Sequence, residues 1–303
     1  MTTKVAPTHY RGIILVLLAA FLWGTCGTVT QFLFHVQGLS PEWLVTIRML
    51  SAGTLLLLPS ACHNLREIFD IWRSAISRRQ LVIFSILGMM LMQYSYFVAI
   101  QVSNAATATI LQYLAPSMIA VYSTIRTRRL PTLIEMLAII LAIVGTFLLV
   151  TKGDIHTLVL SPVALGWGLF CGLTLAFYTV YPSFYLIRWP SSLLLGWSML
   201  LGGITMIPIG QPWHFVGEPT LLSLAGIIYV VIFGTIIPFY AFLESIKYVS
   251  PQTASTLAST EALVVVLLSI TLLALPFTLF DWLGTACIIS TVILLARQPS
   301  RKS

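Results

Sequence analysis

The chain is 303 residues long, 58% hydrophobic and only 8% charged, with a mean hydropathy of +0.97 and a formal net charge of +7. Soluble proteins carry about 25% charged residues, so there is too little polar surface here to cover a water-facing globule, and the composition is that of a polytopic membrane protein. The positive charge raises a nucleic-acid partner as an alternative, which its distribution along the chain then decides.

The first apolar run, from Gly12 to about Phe34, follows Lys4 and Arg11. It is too long for the core of a cleaved signal peptide and reads as an uncleaved first span. Nine more runs follow at 41–59, 80–100, 104–124, 133–151, 162–184, 191–209, 219–241, 252–273 and 278–296, each close to the 20 or so residues that cross a bilayer core. The expected fold is all-α, with ten transmembrane helices. Between the second and third spans, Leu65, Ile68, Phe69 and Trp72 recur at helical spacing among Arg66, Glu67, Asp70 and Arg73. That amphipathic stretch is expected to lie along the membrane surface.

With both termini on one side, that side holds Lys4, Arg11, Arg66, Arg73, Arg78, Arg79, Arg126, Arg128, Arg129, Arg188, Lys247, Arg297, Arg301 and Lys302. The other side holds Lys152 alone. The asymmetry predicts cytoplasmic termini and an even number of spans, and it accounts for the net charge without nucleic acid. Cys26, Cys62, Cys171 and Cys287 are scattered, and all five histidines lie at or outside span ends. No metal site, cofactor or catalytic cluster is expected, and no Gly-rich nucleotide loop is present.

A shift of 146 residues lays 99–150 on 245–296 without a gap. Ile100 then meets Ile246, Thr107-Ala108 meets Thr253-Ala254, Leu111 meets Leu257, Ser123 meets Ser269, Leu148-Leu149 meets Leu294-Leu295, and Glu135 meets Asp281. Five spans per half is an odd number, so the second half enters from the opposite side. The result is a 5+5 inverted-topology repeat, divided at 1–151 and 152–303, with a site expected near the midplane between halves.

At this point the chain resembles a known family. "FLWGT" (Phe21 to Thr25), "SPEWLVTIRMLSAG" (Ser40 to Gly53) and "SNAATATILQYLAP" (Ser103 to Pro116) look like the first half of an EamA-type permease of the drug/metabolite transporter superfamily. "FGTIIPF" (Phe233 to Phe239), "VSPQTASTLASTEAL" (Val249 to Leu263) and "DWLGTACIISTVILL" (Asp281 to Leu295) resemble its second half. The resemblance implies alternating-access movement of small organic solutes. It also exposes a departure: the family's Glu-Pro is Glu261-Ala262 here, whereas the first half keeps Pro116. Without that proline the ninth span is expected to be straighter.

Glu261 is a full charge near the centre of the ninth span, and Ala254 and Ala258 on its face turn it toward protein or a cavity rather than lipid. It is either a substrate-cation partner or proton carrier, or a structural hydrogen-bond or ion-pair group. Arg48 lies at similar depth in the second span. It either pairs with Glu261, snorkels outward, or binds an anionic ligand. Gln112, the repeat-mate of Ala258, lies with Tyr113 and Thr107 in the fourth span, and Gln93 with Tyr94 in the third. These polar groups need partners at bilayer depth, as cavity lining or as interhelical glue. Trp23, Tyr178, Trp197 and Tyr229 sit deep enough to wall a pocket, packing being the alternative; Trp197 aligns with Arg48 when Pro41 is set on Pro190. Pro238 frees a backbone carbonyl in the eighth span and, with Pro116, is a candidate kink.

The function expected from this is a secondary transporter for a small organic metabolite such as an amino acid, with proton coupling through Glu261 as an open element and export the favoured direction. Its partners are the solute, protons and the lipid bilayer, with a monomer or homodimer in a bacterial cytoplasmic (inner) membrane. The alternatives are an uncoupled facilitator and a non-transporting sensor.

Overall fold

The structure, a computed structural model, describes residues 7–63, 65–128, 130–152, 154, 159–185, 189–245, 247–249, 254 and 257–296. Among these the regular elements are all helical. They are α1 (Pro7–His35), α2 (Pro41–His63), α3 (Leu65–Arg73), α4 (Ala75–Val102), α5 (Ala105–Arg126) and α6 (Leu133–Thr151). The second half supplies α7 (Pro162–Tyr185), α8 (Ser191–Gly210), α9 (Leu221–Phe242), α10 (Thr260–Thr271) and α11 (Leu279–Ala296). Eight are long and apolar enough to cross a membrane, and α10 and α11 are shorter apolar helices. The amphipathic α3 stands apart from these ten. It buries Ile68 and Ile71, leaves Phe69 exposed, and pairs Arg73 with Asp70 at 3.2 Å.

The helices pack in sets that the repeat interchanges. The counterpart pairs α2–α8, α5–α10 and α6–α11 touch each other, and α1 packs on α9 and α10 as α7 packs on α4 and α5. Local chemistry follows the same symmetry. At the start of α6, Thr132 and Glu135 form a reciprocal capping box, with bonds of 2.7 and 3.2 Å. At the start of α11, 146 residues on, Thr278 and Asp281 do the same at 2.7 and 3.4 Å. Each satisfies two backbone groups that a helix start leaves without partners. Asp281 additionally meets Lys152 at 3.4 Å, tying the end of α6 to the start of α11.

The interruptions are matched too. π-helical turns occupy Phe84–Met90 in α4 and Ile232–Ile236 in α9, so that Gly88 falls on Gly234 at the same shift. α5 breaks at Tyr113–Leu114, and the α10 region breaks at Ser259, the counterpart of Tyr113. The ninth span is therefore not straighter for lacking proline. The Ala262 N–H donates to Ser259 O at 3.2 Å, which tightens the turn and takes that donor away from Ala258. Pro116, by contrast, sits in the first turn of the second part of α5, where a missing N–H costs no helical bond.

Gly196, Gly203 and Gly210 form a stripe at seven-residue spacing on α8, facing α2. Across from it, a Cβ on Gly53 would fall 2.5 Å from Leu200 N and 3.0 Å from Gly196 O. Backbone lies against backbone here, so nothing can move aside cheaply. Gly53→Ala should therefore destabilise by about 1–3 kcal/mol through overpacking. A Cβ on Gly166 would meet nothing within 4 Å, so Gly166→Ala should melt at or above wild type. Thermal melts followed by size-exclusion chromatography check this; equal melting of the two variants would refute the close approach.

Candidate functional site

α1 brings the site together by having little side chain where it crosses. A Cβ on Gly24 would fall 2.7 Å from Val264 and 3.2 Å from the Glu261 carbonyl, and one on Gly27 would lie 2.9 Å from the Tyr96 hydroxyl. α10, α5 and α4 thus close around α1 at one level. Glu261, in the first turn of α10, is half-buried there. Its Oε2 lies 3.0 Å from the Tyr113 hydroxyl, which also lies 2.9 Å from the Ala258 carbonyl oxygen. That carbonyl is the one that lost its helical donor at the Ser259 turn.

Arg48 does not pair with Glu261. No ion pair joins the two, and no carboxylate among the described residues lies within 4.0 Å of the guanidinium. Arg48 is 5% exposed, donates from Nε to the Thr235 hydroxyl at 2.6 Å and from Nη2 to the Gly234 carbonyl at 3.3 Å, and lies 5.0 Å above the Phe97 ring. The reason is Pro238. It has no N–H for the carbonyl four residues back, which is that of Gly234, and Arg48 supplies the donor. Thr235 donates its own proton to Val230 O at 2.8 Å, a bond the π turn allows. Burial also removes the outward snorkelling alternative.

Around this pair of anchors lie Cys26, Tyr96 bonded to Thr109 at 2.8 Å, and Ser95 bonded to Thr174 at 3.1 Å. Gln112 donates to Met92 Sδ at 3.8 Å. Gln93 is 2% exposed, and neither its Nε2 nor its Oε1 has a hydrogen-bond partner.

Several residues singled out in the sequence have their partners outside this set. Tyr94 points away from the cluster, donating to Glu42 Oε1 at 2.9 Å and meeting the Trp167 ring edge-on at 5.7 Å. Trp197 leaves the cluster as well: its indole donates to Ile68 O at 2.9 Å, and Trp72 and Phe69 pack on it, so it holds α3. Tyr178 stacks on Phe84 at 5.5 Å, where the π turn of α4 begins. Tyr229 shares a 2.6 Å hydroxyl bond with Thr25 and stacks on Phe233. Trp23 packs edge-on against Phe239 and tilted against Phe242. The Thr107 N–H is capped by Asn104 at the start of α5. The pair Glu244 and Lys247 forms as its spacing implies, at 2.6 Å.

Gly234, Thr235, Tyr96 and Cys26 were not singled out. Two of them had a signal. Four residues before Pro238 is Gly234, and Tyr96, not Tyr94, shares the helix face of Gln93.

The profile of the EamA-like transporter family matches residues 10–151 and 163–297. The chain is 36% identical over 295 residues to the inner membrane transporter YicL of Salmonella typhimurium, covering 97% of each. It is 23% identical over 296 residues to the transporter YwfM of Bacillus subtilis, covering 95% of each. It is 26% identical over 272 residues to a transporter of Archaeoglobus fulgidus, covering 90% of this chain and 92% of that one. A crystal structure superposes with a TM-score of 0.63 at 15% identity, over 94% of this chain and 96% of the other, which shows the common fold.

If Arg48 serves the carbonyl that Pro238 orphans, restoring that N–H must soften the loss of Arg48. Arg48→Gln should destabilise strongly in the wild-type background and less so with Pro238→Ala, with a coupling of about 0.5–3 kcal/mol. A double-mutant cycle of melting temperatures reads it, and strictly additive losses would overturn the assignment.

Proposed function

The chain belongs to the EamA-like transporter family, and we propose that it exports a small organic metabolite, an amino acid or related solute, by alternating access coupled to protons at Glu261. The membrane is the cytoplasmic one, with both termini on the cytoplasmic side. The name of the Salmonella relative and the fourteen-to-one division of Lys and Arg support that placement. Solute, protons and lipid are the partners, and the protein acts as a monomer or homodimer.

The observation that carries the reading is the single Tyr113 proton between two acceptors. An ionised Glu261 competes with the Ala258 carbonyl for it. A protonated Glu261 can instead donate to the Tyr113 oxygen, and Tyr113 then serves Ala258. Gain or loss of one proton thus changes which group at the α10 break is satisfied. In a membrane interior, where every backbone group has to find a partner inside the protein, that alters the preferred shape of the helix.

The test begins with metabolite profiles of cells and medium for wild type, Glu261→Gln and empty vector. The solute found is then followed in proteoliposomes at several pH values. A solute moved by wild type should move at least tenfold more slowly with Glu261→Gln, and the residual flux should be independent of pH. Tyr113→Phe should retain flux with a flattened pH profile. Unchanged flux and pH profile in Glu261→Gln would make the carboxylate structural, and wild-type flux that does not depend on pH would make the protein an uncoupled facilitator. A wild type that moves nothing would favour the sensor.

A further inference from the structure

Nearly every polar group of the central cluster has a named partner, and Gln93 has none. Tyr96 has Thr109, Ser95 has Thr174, Tyr113 has Ala258 and Glu261, and Arg48 has Thr235 and Gly234. The Gln93 amide has two N–H donors and a carbonyl acceptor. It is 2% exposed, and both polar atoms are unpaired. An unpaired buried polar group of this kind destabilises the fold, and an apolar side chain of similar shape would avoid that cost. A buried orphan of this kind in a folded protein calls for a role.

Its position supplies one. On α4, Tyr96 and Phe97 are three and four residues on and flank the Gln93 direction. Tyr96 reaches α5 through Thr109, and Phe97 lies beneath Arg48 of α2. Met92, the preceding residue, receives the bond from Gln112, the last residue before α5 breaks. Gln93 therefore sits between α2 and α5, at the level of the break. The π turn of α4 ends three residues earlier, at Met90. Gln112, held only by a weak sulfur acceptor, is the second amide available at this depth.

We infer that Gln93 is the substrate-reading residue of this site, and that the transported solute presents an amide-type edge, an N–H donor beside a C=O acceptor, to it. The chemistry is selective. A carboxylate would satisfy the Gln93 Nε2 and leave Oε1 orphaned, and an ammonium would do the reverse. A carboxamide, in plane with the side chain, pairs both atoms at once. The inference rests on the transporter reading and names the substrate class for it.

The experiment uses the full-length protein in nanodiscs and isosteric probe pairs: glutamine with glutamate, asparagine with aspartate, nicotinamide with nicotinate. Ligand-free Gln93→Leu should melt above wild type, because the orphan is gone. One carboxamide should raise the melting temperature of wild type, bind at least tenfold more weakly to Gln93→Leu, and outperform its carboxylate partner. Gln93→Met, unbranched like glutamine, repeats the test where leucine fails to pack. A ligand-free variant that melts below wild type would overturn the inference, since it would mean the amide holds the fold. So would carboxamides that act alike on wild type and variant. The solute found by metabolite profiling separates this inference from the transporter reading. If Gln93→Leu moves that solute as fast as wild type does, the substrate class falls and transport stands. If wild type moves nothing, the transporter reading itself falls.

Discussion

A helix in lipid has to satisfy its own backbone, and where this protein interrupts a helix it frees a carbonyl that something else must take. The interior is organised around two such carbonyls in the second half, Gly234 in α9 and Ala258 before α10. Arg48 of α2 captures the first and Tyr113 of α5 the second. Both captors come from the first half. The two halves are therefore tied at the centre by bonds that exist only because the helices are broken, and the same bonds bring a cation and a carboxylate to one level without joining them.

The repeat is symmetric in its scaffold and asymmetric in its chemistry. Capping boxes, π turns and helix breaks recur at matched positions. The chemically active groups do not. Gln93 falls on Phe239, Met92 on Pro238, and Tyr113 on Ser259. Trp197, opposite Arg48 in the repeat, serves the surface helix α3. The scaffold elements are matched between the halves, while the unequal side chains concentrate polar chemistry on one wall.

Much of the fold was legible in the sequence because bilayer physics acts on composition. Ten apolar runs, one amphipathic interlude and a repeat in register required no knowledge of tertiary contacts. The site was legible only in part. Depth identified Glu261, Arg48, Gln93 and Gln112, since polar atoms in apolar runs stand out. Their partners did not follow, because pairing side chain with side chain overlooked the backbone. Pairing with each other was one of the alternatives open to Arg48 and Glu261, yet each is engaged at a helix interruption. Pro238 pointed to the Gly234 carbonyl, and the arginine that takes it is 186 residues away in the chain. Helical phase separated Tyr96 from Tyr94 in principle, but a list of polar residues by depth merges them.

The missing proline at Ala262 is better understood as a gain than as a loss. In α5, Pro116 has no N–H to offer Gln112 O, so that break is permanent. In the α10 region, Ala262 keeps an N–H that now goes to Ser259 O, while Tyr113 occupies the Ala258 carbonyl it would meet in a continuous helix. Withdraw Tyr113 and nothing covalent prevents that helical bond from forming. Of the two matched breaks, only the one beside Glu261 keeps the N–H that a continuous helix would need, and in the proposed mechanism the group that competes for Tyr113 is the Glu261 carboxylate. A carrier that has to alternate between two shapes needs one bistable element biased by its cargo or its coupling ion. Under the proton coupling proposed above, a helix break held by a hydroxyl, with a titratable group competing for its proton, would meet that requirement where a proline could not.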